Sequence, residues 1–190
     1  MGYVIVDLEA TCWENTRNTD RMEIIEIGAV YLDSSIGSVI DEFDSFVRPV
    51  VTVELSDFCK NLTSITQADV NRADTFGTVF HNFLEWIGTE PFVLCSWGAY
   101  DLSQFRVDCH RHNIQFPETF ESHINLKKEF ARLFAVRSCG MSSALKHMGF
   151  PLDGTHHRGI DDARNIAKLA QMILPRLEEE GAAPTMNLTR

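Results

Sequence analysis

Met1 to Glu9 is the stretch that most constrains what this chain can fold into. Tyr3, Val4, Ile5, Val6 and Leu8 form an apolar run with no turn residue, the signature of a strand buried on both faces. Asp7 and Glu9 interrupt that run two residues apart. Alternate residues of a strand point the same way, so both carboxylates face one side of the sheet. Buried charge is costly unless it is paired, and divalent cations are the obvious partner. Taken alone, the pair has a competing reading, an acidic loop that begins where the strand stops.

At 190 residues the chain is long enough for one domain with a full core, and its 44% hydrophobic content suits packing. No apolar run reaches membrane-spanning length, and Met1-Gly2-Tyr3 enters the strand without a secretory signal. The five cysteines, Cys12, Cys59, Cys95, Cys109 and Cys139, lie far apart and fit reduced thiols better than a disulfide framework or zinc cluster. An intracellular, cytoplasmic protein without a membrane partner is therefore expected. The formal charge of −10 argues against extensive wrapping of a duplex. It leaves room for a small site in which cations neutralise an acidic centre and hold a strand end.

Along the chain, a polar loop from Thr16 to Arg21 follows the carboxylate pair. Strands are expected over Met22–Asp33 and Val39–Val47, with Gly37 in the turn and Pro49 as the stop; short connections imply an antiparallel meander. Two short helices follow, one through Phe58 and Cys59 and one beginning at Thr66. Phe76, Val79, Phe80, Phe83, Leu84 and Ile87 recur at helical spacing and predict a helix from Thr75 that Gly88 closes. Phe92–Trp97 reads as the next strand. Helices are expected over Tyr100–His112, Asn125–Phe134, Ser142–Met148 and Asp161–Leu177. The result is a mixed sheet with helices packed on it, with no internal repeat. The domain is expected over 1–177, with a flexible tail over 178–190.

Further acidic residues stand where they could join Asp7 and Glu9. Asp101 falls just past the fourth strand, in the first turn of a helix. That is a favourable place for a structural charge, and also the strand end where α/β proteins gather their sites. In the last helix, Asp162 shares the apolar line of Ile166, Leu169 and Ile173, whereas Asp161 shares a wetter line with Asn165 and Lys168. Asp162 is thus the anomalous buried carboxylate and Asp161 an N-terminal helix charge. Just upstream, His156 and His157 are either ordinary loop histidines or a proton acceptor beside the carboxylates.

The ordered set Asp7-Leu8-Glu9, Cys95 to Asp101 and His157 to Ala167 resembles the three motifs of the DEDDh branch of the DEDD exonucleases. Ala10-Thr11-Cys12, Ile24-Ile25-Glu26-Ile27-Gly28 and the stretch Phe58-Cys59 to Leu62-Thr63 are similar to the Eri-type exoribonucleases. The resemblance spans about residues 3 to 175 and implies an α/β, RNase H-like mixed five-stranded sheet with helices on both faces. It selects His157 as the general base and Asp7, Glu9, Asp101 and Asp162 as ligands of two Mg²⁺ or Mn²⁺ ions. It also implies release of 5′-mononucleotides from a free 3′ end, with Ala10, Thr11, Met22, Leu62 and Thr63 lining the terminal nucleotide pocket. Trp97 has a base-stacking reading and a core reading, and Arg158 and Arg164 have a phosphate-binding and a structural one. The substrate implied is single-stranded RNA or an RNA 3′ overhang, with a protein partner supplying longer-range recognition. A 3′–5′ DNA exonuclease and a catalytically silent nuclease-like interaction module are the alternatives.

Overall fold

The computed structural model describes residues 1–14 and 19–181. Residues 16–18 of the expected polar loop and 182–190 of the expected tail lie outside the described residues. The sheet consists of β1 (Gly2–Ala10), β2 (Ile24–Leu32), β3 (Val39–Phe46), β4 (Phe92–Ser96) and β5 (Ile124–Asn125), in the order β3-β2-β1-β4-β5. β1, β2 and β3 form the antiparallel meander that their short connections require. β4 pairs parallel to β1, and β5 parallel to β4. The α/β architecture and the five-stranded mixed sheet are those expected. β5 is only two residues long, too short for periodicity to reveal.

The helices are α1 (Asp57–Thr63), α2 (Gln67–Arg72), α3 (Phe76–Ile87), α4 (Tyr100–Arg111), α5 (Leu126–Leu133), α6 (Met141–Met148) and α7 (Gly159–Glu179). No helix of the described residues is long and apolar enough to cross a membrane. Strand alternation sorts β1 between two cores. Val4, Val6 and Leu8 face a phenylalanine-rich layer that includes Phe76, Phe80, Phe83 and Phe105 from α3 and α4. Stacking of Phe83 on Phe105, with ring centroids 5.7 Å apart, locks those two helices together. Tyr3 and Ile5 face α7 through Ile166, Ala170 and Ile173. Burial of each large side chain contributes roughly 1.5–3 kcal/mol. That double coverage makes β1 the rigid centre of the molecule.

The same alternation puts Asp7 and Glu9 on the α7 face, opposite Gly28 and Glu26 of β2. α7 starts at Gly159, slightly before the expected Asp161, because its first turn is capped from the sheet. The Gly159 N–H donates to Glu26 Oε2 at 2.8 Å, and the Arg158 guanidinium donates to Glu26 Oε1 at 2.9 Å. A carboxylate at this place satisfies orphan N–H groups and complements the helix dipole. The close approach also needs glycine. A Cβ on Gly28 would lie 2.0 Å from the backbone of Gly159 and Ile160.

Two substitutions test this docking. Gly28→Ala should force α7 away from β2 and cost about 3 kcal/mol, the upper end of overpacking penalties. Glu26→Ala should cost about as much by leaving Arg158 and the Gly159 N–H without their acceptor. Urea unfolding midpoints measure both; a wild-type midpoint in either variant would contradict the described contact.

Candidate active site

Four carboxylates meet where β1 and β4 end. Asp7 and Glu9 come from the last turns of β1, Asp101 from the first turn of α4 immediately after β4, and Asp162 from the first turn of α7. Oxygens of Asp7, Glu9 and Asp162 all lie within 4.8 Å of one another. Asp101 is tied to the same strand, because its Oδ1 accepts the Leu8 N–H at 3.1 Å. All four line one cavity of about 560 Å³, a size that suits a nucleotide-scale ligand.

The crowding is electrostatically unfavourable. Burial, then repulsion from Asp101, Glu9 and Asp162, holds the Asp7 carboxyl well above the usual carboxylate range. Burial and the charges of Glu26, Asp162 and Asp101 push Glu9 up to about 8. Asp101 is raised by burial to about 6, with the Leu8 N–H opposing the shift. Glu26 is raised by its own burial, while Arg158 and Gly159 pull it back. Two cations held by Asp7, Glu9, Asp101 and Asp162 would offset this repulsion. The donor set is hard oxygen, which suits Mg²⁺ and Mn²⁺.

His157 stands beside this centre. Its backbone adopts φ +65°, and its N–H donates to Asp162 Oδ2 at 3.0 Å. Burial, then the neighbouring His156, lowers the His157 pKa below the ordinary imidazole value, so the ring is neutral at pH 7 and able to accept a proton. His156 Nδ1 lies 2.9 and 3.1 Å from the two Asp162 oxygens, and its ring stacks on His157 with centroids 4.0 Å apart. Donor atoms of His156, His157 and Asp162 form a second group within 4.8 Å of one another. Asp161 points away from the carboxylate centre, where it accepts the Thr155 N–H at 2.8 Å and pairs with Arg164 at 3.0 Å, whereas Asn165 of its expected wetter line is fully buried.

Of the residues expected around a nucleotide, Ala10, Met22, Leu62 and Trp97 line the cavity. Thr11 and Thr63 do not reach its wall. Thr11 is 1% exposed and accepts the Glu23 N–H at 3.0 Å. Thr63 is 0% exposed, donates to the Cys59 carbonyl at 2.9 Å and accepts the Ile65 N–H. α1 buries its Cys59 and Thr63 face, which leaves Leu62 turned toward the cavity. Trp97 lines the cavity while its Nε1–H donates to the Cys139 carbonyl at 3.0 Å. Arg158 is held by Glu26, and Arg164 by Glu42 and Asp161, so neither is free for phosphate.

Sequence reasoning missed several parts of the wall. Tyr100 and the start of α6, Gly140 to Ser143, also line the cavity. The Gly140 cap offers no side-chain acceptor, so the positive end of the α6 dipole faces an otherwise acidic space. Met22 is positioned from α4: Gln104 Nε2 donates to the Met22 carbonyl at 3.0 Å and to buried Asp108 at 2.7 Å. The adjacency of Tyr100 to Asp101 was a usable local signal; the α6 contribution depends on tertiary structure alone.

The exonuclease family profile matches residues 4–170. Human 3'-5' exoribonuclease 1 is 35% identical over 179 residues, 90% of this chain and 51% of that protein. Human ERI1 exoribonuclease 2 is 31% identical over 193 residues, 90% of this chain and 28% of that protein. The chain thus spans about half, or less, of the length of these curated relatives. A solved structure of the nuclease domain of 3'hExo, a DEDDh family member bound to rAMP, matches with a TM-score of 0.86 at 32% identity. That match covers 98% of this chain and 96% of the solved one. With the motif carboxylates gathered in one cavity and the profile spanning most of its length, the chain belongs to the DEDDh branch of the exonuclease family.

Proposed function

We propose that the chain is a metal-dependent 3′–5′ exonuclease that trims single-stranded RNA or an RNA 3′ overhang and releases 5′-mononucleotides. The observation that carries this reading is the convergence of Asp7, Glu9, Asp101 and Asp162 with a neutral His157 on one nucleotide-scale cavity. RNA is favoured by the similarity to human 3'-5' exoribonuclease 1 and by the rAMP held in the 3'hExo nuclease domain. The unit expected over 1–177 is extended by α7, which runs to Glu179 and whose Glu178 accepts hydrogen bonds from the Tyr3 and Ser35 hydroxyls, so the proposed catalytic unit reaches Glu179. The chain acts inside the cell, in the cytoplasm, a location that suits the free thiols of Cys59, Cys95 and Cys109. A protein partner completes substrate recognition, since the acidic surface gives little general affinity for phosphate.

In this reading Asp7, Glu9, Asp101 and Asp162 would hold two Mg²⁺ or Mn²⁺ ions. When bound, such ions activate water and stabilise charge on the scissile phosphate and the departing 3′-oxygen. The protein's own residues do the rest. His157 would take the proton of the attacking water on a ring nitrogen, which its lowered pKa leaves unprotonated. Ala10, Met22, Leu62 and Trp97 would hold the terminal nucleoside, with Thr11 and Thr63 supporting that wall from beneath. The first turn of α6 presents a positive dipole end to the incoming phosphates.

Two measurements test the reading. With 5′-labelled single-stranded RNA and DNA of one sequence, Mg²⁺ or Mn²⁺ should support a ladder that shortens from the 3′ end, fastest on RNA, and a chelator should stop it. Asp7→Ala should abolish the ladder and His157→Ala slow it by about 10²-fold or more. No turnover with either metal and either substrate would sink the proposal. The second measurement follows the carboxylates themselves. The Glu9 carboxyl moves from an ordinary 4.5 to about 8 in the fold, so the folded state binds a proton that the unfolded state has released. Metal-free protein should therefore lose thermal stability as pH rises from 4.5 to about 8. Glu9→Gln should flatten that slope, and Mg²⁺ should raise the melting temperature more at the alkaline end, because it competes with protons for the same oxygens.

A further inference from the structure

Beyond that reading, we propose that His156, His157 and Asp162 form a site for an imidazole-preferring transition ion, with Zn²⁺ the probe of choice. The site shares Asp162 with the carboxylate centre and stops the enzyme when filled. The inhibitory consequence rests on the proposed exonuclease function; the binding itself does not.

Three observations support it. Donor atoms of the three residues already lie within 4.8 Å of one another. The His156 Nδ1 is 2.9 Å from Asp162 Oδ2, so one imidazole is already within reach of the shared carboxylate. The backbone supplies the second observation. Successive residues of an extended chain point to opposite sides, yet the left-handed turn at His157, φ +65°, brings both rings to one carboxylate. A non-glycine residue held there costs about 1 kcal/mol or more, and the His157 N–H bond to Asp162 keeps it in place. Third, the two donor groups around Asp162 differ in kind. Asp7, Glu9 and Asp162 offer oxygen alone, the chemistry of Mg²⁺ and Mn²⁺; two imidazoles and one carboxylate favour zinc, copper or nickel.

The rings stack rather than converge, so coordination requires His156 to turn out of the stack; its side chain is 41% exposed and has room to do so. Water would complete the coordination shell. A bound ion would occupy a His157 lone pair and so remove the proton acceptor. It would also draw Asp162 from the carboxylate centre. Mg²⁺ would not reverse this efficiently, because it has little preference for imidazole nitrogen.

Metal-stripped wild type, His156→Ala and His156→Gln would each be dialysed against Zn²⁺ at saturating Mg²⁺. A parallel Co²⁺ titration would be read by its visible absorption. The wild type should retain one Zn²⁺ per chain, and both variants should bind it at least about tenfold more weakly. For each protein the Zn²⁺ inhibition is read as a fraction of its own Mg²⁺-supported rate, and the Zn²⁺ concentration for half-inhibition should rise in the variants with the loss of binding. Melting curves verify that the variants are folded. Zn²⁺ held as tightly by both variants would place the ion on the carboxylates alone and overturn the proposal. So would a wild type that retains no Zn²⁺ beside Mg²⁺. Were the protein to trim no nucleic acid at all, the dialysis and Co²⁺ spectra would still decide whether the site exists.

Discussion

Repulsion among carboxylates brought to the end of one strand is the constraint on which the rest of this structure depends. Asp7 and Glu9 sit on β1, which the sheet and helices cover on both faces, so their charges have little water to spread into. Burial first, and then the charges of Asp101 and Asp162, raise the pKa values of Asp7 and Glu9. A fold that holds such a group needs a rigid frame. β1 supplies it by pairing antiparallel with β2 and parallel with β4. The parallel pairing brings the outgoing ends of β1 and β4 to one edge, so residues nearly a hundred positions apart meet there.

Glu26 illustrates how that frame is closed. It faces Glu9 across the β1–β2 ladder and adds to its repulsion, yet it also anchors α7 through Arg158 and Gly159. Because α7 carries Asp162, the same carboxylate that worsens the local field fixes the position of a neighbouring one. Gly28, two residues further on, lets the helix come close enough for this to happen. Electrostatic cost and geometric order are coupled at this junction, so neither residue can be treated as a passive part of the core.

Much of this was legible in the chain. The spacing of Asp7 and Glu9 fixed their common face because strand periodicity is two. The line through Asp162, Ile166, Leu169 and Ile173 separated the buried aspartate from Asp161, because helical periodicity places only one of two neighbours on the sheet. What stayed hidden depended on contacts far apart in sequence. Among the described residues, Glu26 has no partner within its own strand; its acceptors are used only by Arg158 and Gly159, more than 130 residues away. Thr11 and Thr63 belonged to stretches near the cavity, but local alternation and helix phase turned their hydroxyls into the protein. The wall formed by Gly140 to Ser143 carries no chemical signature of its own; α6 reaches the cavity only because α5 and α7 carry it there.

The overall charge of −10 then takes on a more specific meaning. Among the described residues, no lysine or arginine lines the cavity. Several arginines near the motifs are paired: Arg158 with Glu26, Arg164 with Glu42 and Asp161, Arg106 with Glu121 and Arg111 with Asp108. Among the described residues, the cavity thus presents carboxylates, imidazole, apolar side chains and one helix N-terminus, and no cationic side chain. On the proposed reading, the attraction must come from ions held by those carboxylates, so binding and hydrolysis share one electrostatic source. A protein built this way gains little from sliding on bulk nucleic acid, where counterion release by basic side chains dominates. On the same reading, what this domain itself recognises is the terminus, by the fit of one nucleotide into a cavity whose charge is right only when the metal is present, and longer-range recognition falls to the proposed partner.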